Sequence, residues 1–126
     1  MRVLVWLVEG TWQGCVDAAR ALVPADAEVT LLHVAPGEVG EAAELAAGEA
    51  RLDRPARQER RQGRVERLVV EAAQDADLLV AARDGDRSRL GPASLGPVTR
   101  FVADHAPCPV LLVWPEPAPP VGSMPP

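Results

Sequence analysis

The sequence predicts an α/β fold, a three-layer sandwich in which helices cover both faces of a doubly wound, mostly parallel sheet. Two observations predict it. Short, almost wholly apolar runs are typical of strands buried on both faces, and segments with apolar residues at helical spacing separate those runs. Strands that alternate with helices pair in parallel through right-handed crossovers. The apolar runs are Val3–Val8, Val29–Val34, Asp77–Ala82 and Pro109–Trp114.

The first strand leads into the first helix through a short turn, Glu9-Gly10-Thr11. Thr11 is a residue type that caps helices, and we expect its hydroxyl to cap this one. Apolar residues at helical spacing then define one stripe, which must end at Pro24 because proline cannot continue a helix. The stripe consists of Trp12, Cys15, Val16, Ala19, Leu22 and Val23.

The second strand is closed by Pro36-Gly37, and the composition of Val39–Leu52 predicts a second helix. Small residues form its expected inner face, which buries little area, so we expect this helix to be loosely held. That face consists of Val39, Ala42, Ala43, Ala46 and Ala50.

Residues Asp53–Gly63 are almost wholly polar, and they form either a poor edge strand or a loop. An arginine cluster surrounds them. One interpretation is a patch for anions or nucleic acid. We favour a solvated face neutralised by Glu38–Glu49, because charge runs usually solvate and no aromatic residue offers a platform for bases. The cluster consists of Arg51, Arg54, Arg57, Arg60, Arg61, Arg64 and Arg67.

The second half of the chain holds two more helices around the third apolar run. One has a clean stripe of Val65, Leu68, Val69, Ala72 and Ala73. The other is a short helix after a glycine-rich loop, marked by Val98, Phe101 and Val102. Residues 115–126 are half proline, and we expect a disordered or extended tail that does not pack.

Length, charge and composition exclude several kinds of protein. A chain of 126 residues holds one domain, which we place at residues 1–114. The net charge of −5 argues against nucleic-acid binding. No signal peptide or membrane-length apolar run is visible, so we expect a cytoplasmic protein. Cys15 and Cys108 have no metal or redox spacing and are expected as small buried hydrophobes. All basic side chains are Arg, and Lys, Asn, Ile and Tyr are absent, which indicates a GC-rich bacterial genome.

Four segments resemble the universal stress protein family, and the resemblance covers residues 2–114. They are VLVWLVEGT, VTLLHV, DADLLVAARDG and GPVTRFVADHAPCPVLLV. The resemblance implies a five-stranded sheet in the order 3-2-1-4-5, with the weak third strand at an edge where polar residues are tolerated. It also implies a homodimer. The apolar last strand, expected at the other edge, invites pairing with its copy through Val110, Leu111, Leu112 and Val113.

ATP-binding members of that family carry Gly-x2-Gly-x9-Gly-(Ser/Thr) after the fourth strand. Aligned on Gly96, this chain has Arg83 and Asp86 at the first two glycines and Pro97 at the hydroxyl residue. Thr99 suits a later polar position, and Glu9 stands near the family's aspartate. The resulting candidate nucleotide cleft, which these departures would make vestigial, consists of Val8, Glu9, Gly10, Thr11, Val34, Arg83, Gly85, Arg87, Ser88, Gly96 and Thr99.

These departures predict impaired phosphate binding. A phosphate cradle needs free backbone N–H groups and no obstructing Cβ, whereas Arg83 and Asp86 add side chains. Asp84 and Asp86 add negative charge, and Pro97 removes an N–H donor. We therefore expect a non-enzymatic regulator with unknown protein clients that requires no cofactor and binds ATP weakly or not at all.

The alternative is an adenine-nucleotide sensor. In it, arginine side chains rather than backbone hold the phosphates, and the strand ends at Val8 and Val34 supply backbone contacts to adenine. An enzyme is disfavoured because Ser94 lacks the glycine that a nucleophile elbow needs two residues earlier. The arginines of the sensor would be Arg83, Arg87 and Arg89.

Overall fold

A computed structural model describes residues 1–37 and 43–126. These residues form five strands and four helices. The strands are β1 (Arg2–Trp6), β2 (Glu28–Ala35), β3 (Arg57–Gln62), β4 (Leu78–Ala82) and β5 (Val110–Val113). The helices are α1 (Trp12–Leu22), α2 (Ala43–Leu52), α3 (Val65–Ala72) and α4 (Pro97–His105).

The five strands form one parallel sheet in the order β3-β2-β1-β4-β5, which confirms the predicted order. Val3 of β1 lies opposite Val29 of β2 on one side and Leu78 of β4 on the other. The chain reverses its direction of winding between β1 and β4. In such sheets ligands bind beyond the carboxyl ends of the strands at this switch point.

Two apolar layers, one on each face of the sheet, confirm the three-layer sandwich. Val5 and Leu31 pack against Val16 of α1 on one face. Trp6 and Leu32 pack against Val69 of α3 on the other. Because successive side chains of a strand point to opposite faces, β1 and β2 contribute apolar residues to both layers, as continuous apolar runs require.

Helix α1 departs from two expectations. Leu22 is 67% exposed, while the next residue, Val23, is buried. Adjacent helical residues point about 100° apart, so only one of the two faces the core. The Thr11 hydroxyl makes no capping bond and is buried without a hydrogen-bond partner among residues 1–37 and 43–126. The Val8 carbonyl instead accepts hydrogen bonds from the backbone N–H groups of Thr11 and Trp12, at 3.2 and 3.0 Å.

The alanine face predicted for α2 is wrong where it can be compared. Ala46 and Ala50 are exposed, and the helix instead buries Leu45, Gly48 and Leu52. A Cβ on Gly48 would lie 3.0 Å from Leu7 Cδ1, so the missing side chain lets α2 approach the sheet. The larger leucines bury more apolar area than alanine, which decides the orientation. Of the predicted face, Val39 and Ala42 lie outside the described residues.

The polar segment Asp53–Gly63 contains a true strand. Residues of β3 pair with β2 in parallel over six positions, from Thr30↔Arg57 to Ala35↔Gln62. β3 is an edge strand, and one side of it faces solvent, where charged side chains also discourage pairing with another chain.

The arginine cluster around β3 is partly neutralised, which supports the solvated interpretation, and the partners seen in the described part of the chain lie outside the predicted acidic run. Glu38 and Glu41 of that run lie outside the described residues. Most of the observed partners come from α1, α3 and β3 itself. Arg51 pairs with Asp17, Arg54 donates to the Pro24 and Ala27 carbonyls, Arg61 pairs with Glu59, and Arg64 with Glu66.

Candidate functional site

The candidate residues gather at the carboxyl ends of the parallel strands. The β1–α1 turn contributes residues 8–11, and the end of β2 contributes Val34. The loop after β4, residues 83–96, leads directly into α4. The sheet therefore places all three candidate segments at one edge, around the switch point between β1 and β4.

The amino terminus of α4 is occupied by a carboxylate of the same chain. Asp84 Oδ1 accepts a hydrogen bond from the backbone N–H of Gly96 at 2.7 Å. Asp84 Oδ2 accepts one from the Thr99 hydroxyl at 2.9 Å. A helix amino terminus favours anions through its dipole and its free N–H groups. Asp84 thus uses the two donors that sequence analysis assigned to a phosphate.

The backbone of Gly85 is also hydrogen-bonded within the loop. Its backbone N–H donates to the Ser94 carbonyl at 2.8 Å, and the N–H of Asp86 donates to the Ala93 carbonyl at 2.8 Å. A Cβ on Gly85 would overlap the Ala93 carbonyl oxygen and lie 2.9 Å from the Ser94 carbonyl carbon. The backbone at residues 85–86 passes so close to residues 93–94 that only glycine fits at position 85. The Gly85 N–H is already hydrogen-bonded, so it is not free for a ligand.

Arg83 is held at the end of β4 by three groups. Its backbone N–H donates to the Val113 carbonyl at 2.9 Å, and its Nη1 donates to Ser94 Oγ at 2.7 Å. The guanidinium carbon lies 4.7 Å from the centre of the Trp114 ring, a cation–π arrangement. Arg83 Nε is buried and has no hydrogen-bond partner in the described part of the chain, so the side chain keeps one unused donor.

Arg87 and Ser88 are bound by neighbouring acidic groups. Arg87 Nε lies 2.5 Å from Glu116 Oε1, and its Nη1 donates to the Arg83 carbonyl at 3.4 Å. The hydroxyl and backbone N–H of Ser88 both donate to Asp86 Oδ1, at 2.6 and 3.0 Å. These bonds lower the pKa of the exposed Asp86 carboxyl, so Asp86 stays ionised beside the loop.

The β1 and β2 segments supply backbone and small side chains. Gly10 has φ of 90°, a conformation that glycine adopts easily. Glu9 and Gly10 are exposed, Val8 is half-buried, and Val34 is buried. No hydrogen bond of the described residues joins Val8, Glu9 or Gly10 to loop 83–96, and their role in a nucleotide cleft stays a prediction.

Ser94, the serine weighed as a nucleophile in the sequence, is buried. Ser94 is 0% exposed, and its hydroxyl donates to the Gly91 carbonyl at 2.7 Å while accepting from Arg83. His105 bonds to the Phe101 carbonyl through Nδ1 at 2.7 Å and stacks on the Phe101 ring.

Over residues 1–37 and 43–126, no group of three or more His, Cys, Asp or Glu side chains has the geometry of a metal site. Within the same ranges, no helix has the length and apolar character needed to cross a membrane.

Sequence analysis missed three functional contacts of this site. It treated Asp84 only as a repulsive charge, although it bonds to Gly96. It assigned no partner to Trp114 or Glu116, which contact Arg83 and Arg87. Aspartate is a preferred capping residue, but Asp84 lies 12 residues before Gly96, so no local capping pattern in the sequence indicates this bond.

A cavity of about 770 Å³ lies at the opposite end of the sheet. It is bounded by Arg2 and Glu28 at the starts of β1 and β2, by Arg54, and by Asp75. Parallel α/β sheets bind ligands at the other end, so we base the functional interpretation on loop 83–96.

Comparison with known proteins points to one family. Residues 40–113 match the model of the universal stress protein family. No curated protein matches the chain. A solved universal stress protein in complex with cAMP aligns with a TM-score of 0.69 and 20% identity, covering 92% of this chain and 98% of that one.

Two structures from Archaeoglobus fulgidus are also similar. A universal stress protein from strain DSM 4304 aligns with a TM-score of 0.70 and 19% identity, covering 90% of this chain and 43% of that one. A universal stress protein in complex with dAMP aligns with a TM-score of 0.59 and 19% identity, covering 90% and 97%. At these identities the structural likeness concerns the fold.

Proposed function

We propose, since this chain belongs to the universal stress protein family, that it is a non-enzymatic regulatory protein of the stress response that binds ATP weakly or not at all. Soluble cytoplasmic action and the absence of a required cofactor are part of the proposal. The observation that carries it is the Asp84 carboxylate on the Gly96 N–H and the Thr99 hydroxyl.

A phosphate that bound at α4 would have to displace this carboxylate. Two unit negative charges about 5 Å apart repel by about 3 kcal/mol at an effective dielectric near 20. Asp84 is exposed, so solvent screening reduces this figure. The Gly85 N–H, a second donor that a phosphate would need, already bonds to the Ser94 carbonyl. Charge and donor supply therefore both oppose a triphosphate.

A second candidate is the adenine-nucleotide sensor, and one observation favours it. Arg83 Nε is a buried donor without a partner in the described residues, and a buried donor is costly unless it is paired. Two similar structures are complexes with cAMP and dAMP, each of which carries a single phosphate. A monophosphate held by Arg83 would leave Asp84 in place.

We further propose that two copies associate through β5. This strand ends the sheet, and its four apolar residues are each only half-buried within one chain. An apolar edge strand of this kind is a template for pairing with a second copy.

Mass spectrometry of the native purified protein, followed by calorimetric titration, tests the proposal. Bound nucleotide is read after denaturation, and ATP, ADP, AMP and cAMP are then titrated into the ligand-free protein. We expect no co-purified ATP and no ATP dissociation constant in the micromolar range. Micromolar binding of AMP or cAMP that is lost in Arg83→Ala would support the sensor. Micromolar ATP binding would overturn the weak-binding proposal.

A further inference from the structure

The tail, residues 115–126, folds back along loop 83–96, although its composition predicted that it would not pack. Glu116 pairs with Arg87 at 2.5 Å, and the backbone N–H of Leu90 donates to Ser123 Oγ at 3.0 Å. The Pro125 ring lies 3.4 Å from the position that a Cβ on Gly91 would take. The tail therefore contacts the middle of the loop, through Glu116 near the start of the tail and through Ser123 and Pro125 near its end.

Its proline content explains how this segment docks through few contacts. Proline-rich chain is already extended and has little backbone freedom to lose, so a few contacts suffice to order it. A short turn at Val121–Ser123 changes the direction of the tail, and within it Ser123 Oγ donates to the Pro120 carbonyl at 2.6 Å. The same oxygen accepts from Leu90, which joins this turn to the loop.

The chain after β5 contacts two of the three arginines of the candidate phosphate site, Arg83 and Arg87. Trp114 lies against the Arg83 guanidinium, and Pro115 follows it closely over α1, 2.7 Å from the position of a Cβ on Gly14. Glu116 then places a carboxylate on Arg87. A carboxylate and a phosphate oxygen use the same guanidinium donors. An anion that reaches Arg87 must therefore compete with Glu116.

We propose that the tail is an autoinhibitory strap: Glu116 occupies Arg87 as an internal anion, and docking of the tail opposes the binding of oxyanions at loop 83–96. The strap is anchored at Glu116 and Ser123 and is released when either an external polyanion or a substitution removes these two ties. This inference goes beyond the proposed function, because it concerns the phosphate chemistry alone and does not require that the chain recognise adenine.

Titration of inorganic tripolyphosphate into the protein with residues 115–126 present tests the strap. Three variants are compared with the natural sequence: Glu116→Gln, the double variant Glu116→Gln/Ser123→Ala, and the control Glu71→Gln. Glu71 is an exposed carboxylate on α3, so the control removes the same charge without touching the tail. We expect the double variant to bind tripolyphosphate up to about fivefold more tightly than the control, the range of an exposed ion pair.

Hydrogen exchange at the Leu90 amide gives a second readout. Because coupling between two binding events is reciprocal, tripolyphosphate should speed exchange of this amide in the natural sequence. The double variant should exchange rapidly without any anion. Adding Arg87→Ala to the double variant should abolish its gain in affinity.

Three results would overturn the strap. These are equal affinity of the double variant and the control, an unchanged Leu90 exchange rate when tripolyphosphate is bound, and no binding by any variant. Tight ATP binding by the natural sequence would instead overturn the proposed function. The strap would then still be tested by the tripolyphosphate affinities of the double variant and the control.

Discussion

Asp84 caps Gly96 across the loop, with 2.7 Å between Oδ1 and the backbone nitrogen. Residues 85–95, which separate them, form a closed loop, so the cap fixes the loop and the start of α4 together. A carboxylate at this place stabilises the helix through its dipole and fills the position that an external anion would otherwise take. Under the proposed function, this one side chain therefore stabilises the fold and opposes ligand binding.

Replacing Asp84 should separate these two effects. In Asp84→Ala the Gly96 N–H and the Thr99 hydroxyl lose their acceptor, and we expect a loss of about 1 kcal/mol in the free energy of unfolding. Removing the Asp84 carboxylate should raise ATP affinity by about tenfold. This gain is smaller than the full repulsion between carboxylate and phosphate would give, because Asp84 is exposed and solvent screens its charge. Urea denaturation and calorimetric titration measure the two quantities.

Asp84→Asn and Asp26→Ala serve as controls. The asparagine keeps the shape and one acceptor oxygen but not the charge, so it should lose less stability than alanine. Asp26 is exposed in the turn before β2, and its replacement tests the loss of one charge alone. Asp84→Ala with unchanged stability and unchanged ATP affinity would contradict the role assigned to this carboxylate.

Gly85→Ala should destabilise the protein by about 1–3 kcal/mol, the range for overpacking. The new methyl group would overlap the Ala93 carbonyl oxygen, which is backbone and cannot turn aside. Gly37→Ala is the matched control, because a Cβ there would have no heavy atom of the described residues within 4 Å. The midpoint of urea unfolding is the measurement, and equal midpoints for the two variants would show that the loop can open at no cost.

The sheet could be predicted because strands buried on both faces carry a continuous apolar run, which is a local signal. β3 lacks this signal, since Arg57–Gln62 is polar throughout. It forms because β2 offers a free edge of backbone N–H and C=O groups, and this partner is visible only in three dimensions. The inner face of α2 was predicted wrongly for a similar reason. The close approach at Gly48 depends on Leu7, a residue of another element.

The place of the candidate site could be predicted, but its present occupants could not. Strand order and the switch-point rule locate loop 83–96. The bond from Asp84 to Gly96 spans 12 residues, and the pair of Arg87 with Glu116 spans 29. No periodicity or local capping pattern reports contacts at such separations. The proline-rich composition of the tail predicted that it would not pack on the domain. This part of the prediction differs from the structure, because extended chain can still dock through a few side chains.

Leu112→Lys should weaken association of two copies through β5. The strand is half-buried in one chain, so a charge placed there lies in the proposed interface. Light scattering at tens of micromolar protein should give a dimer for the natural sequence and a monomer for the variant. Leu22→Lys is the control, since Leu22 is an exposed leucine of α1. A natural sequence that is monomeric at this concentration would refute the dimer.

The two cysteines should differ in reactivity. Cys15 is 0% exposed, and burial raises the pKa of its thiol to about 12. Near pH 8 about one molecule in ten thousand carries the thiolate, which is the reactive form. Cys108 is half-buried, and burial raises the pKa of its thiol less. Titration with an aromatic disulfide reagent should therefore label one thiol per native chain and both after denaturation. Cys108→Ser should abolish native labelling, and labelling of Cys15 in that variant would contradict its burial.

The pair between α1 and α2 should make part of the stability depend on pH. Arg51 donates to both carboxylate oxygens of Asp17 at 2.8 Å, and these hydrogen bonds lower the pKa of the Asp17 carboxyl. A carboxyl whose pKa is lower in the folded chain stabilises the fold above its unfolded value, about 3.9, and this contribution is lost as the pH falls through the folded value. Asp17→Asn removes the titrating group, so its urea midpoint should fall less between about pH 6 and pH 3 than that of the natural sequence. Asp26→Asn, which removes an exposed carboxylate from a turn, should retain the natural pH dependence. Identical pH dependence in Asp17→Asn and the natural sequence would mean that the pair contributes nothing measurable, as many exposed ion pairs do.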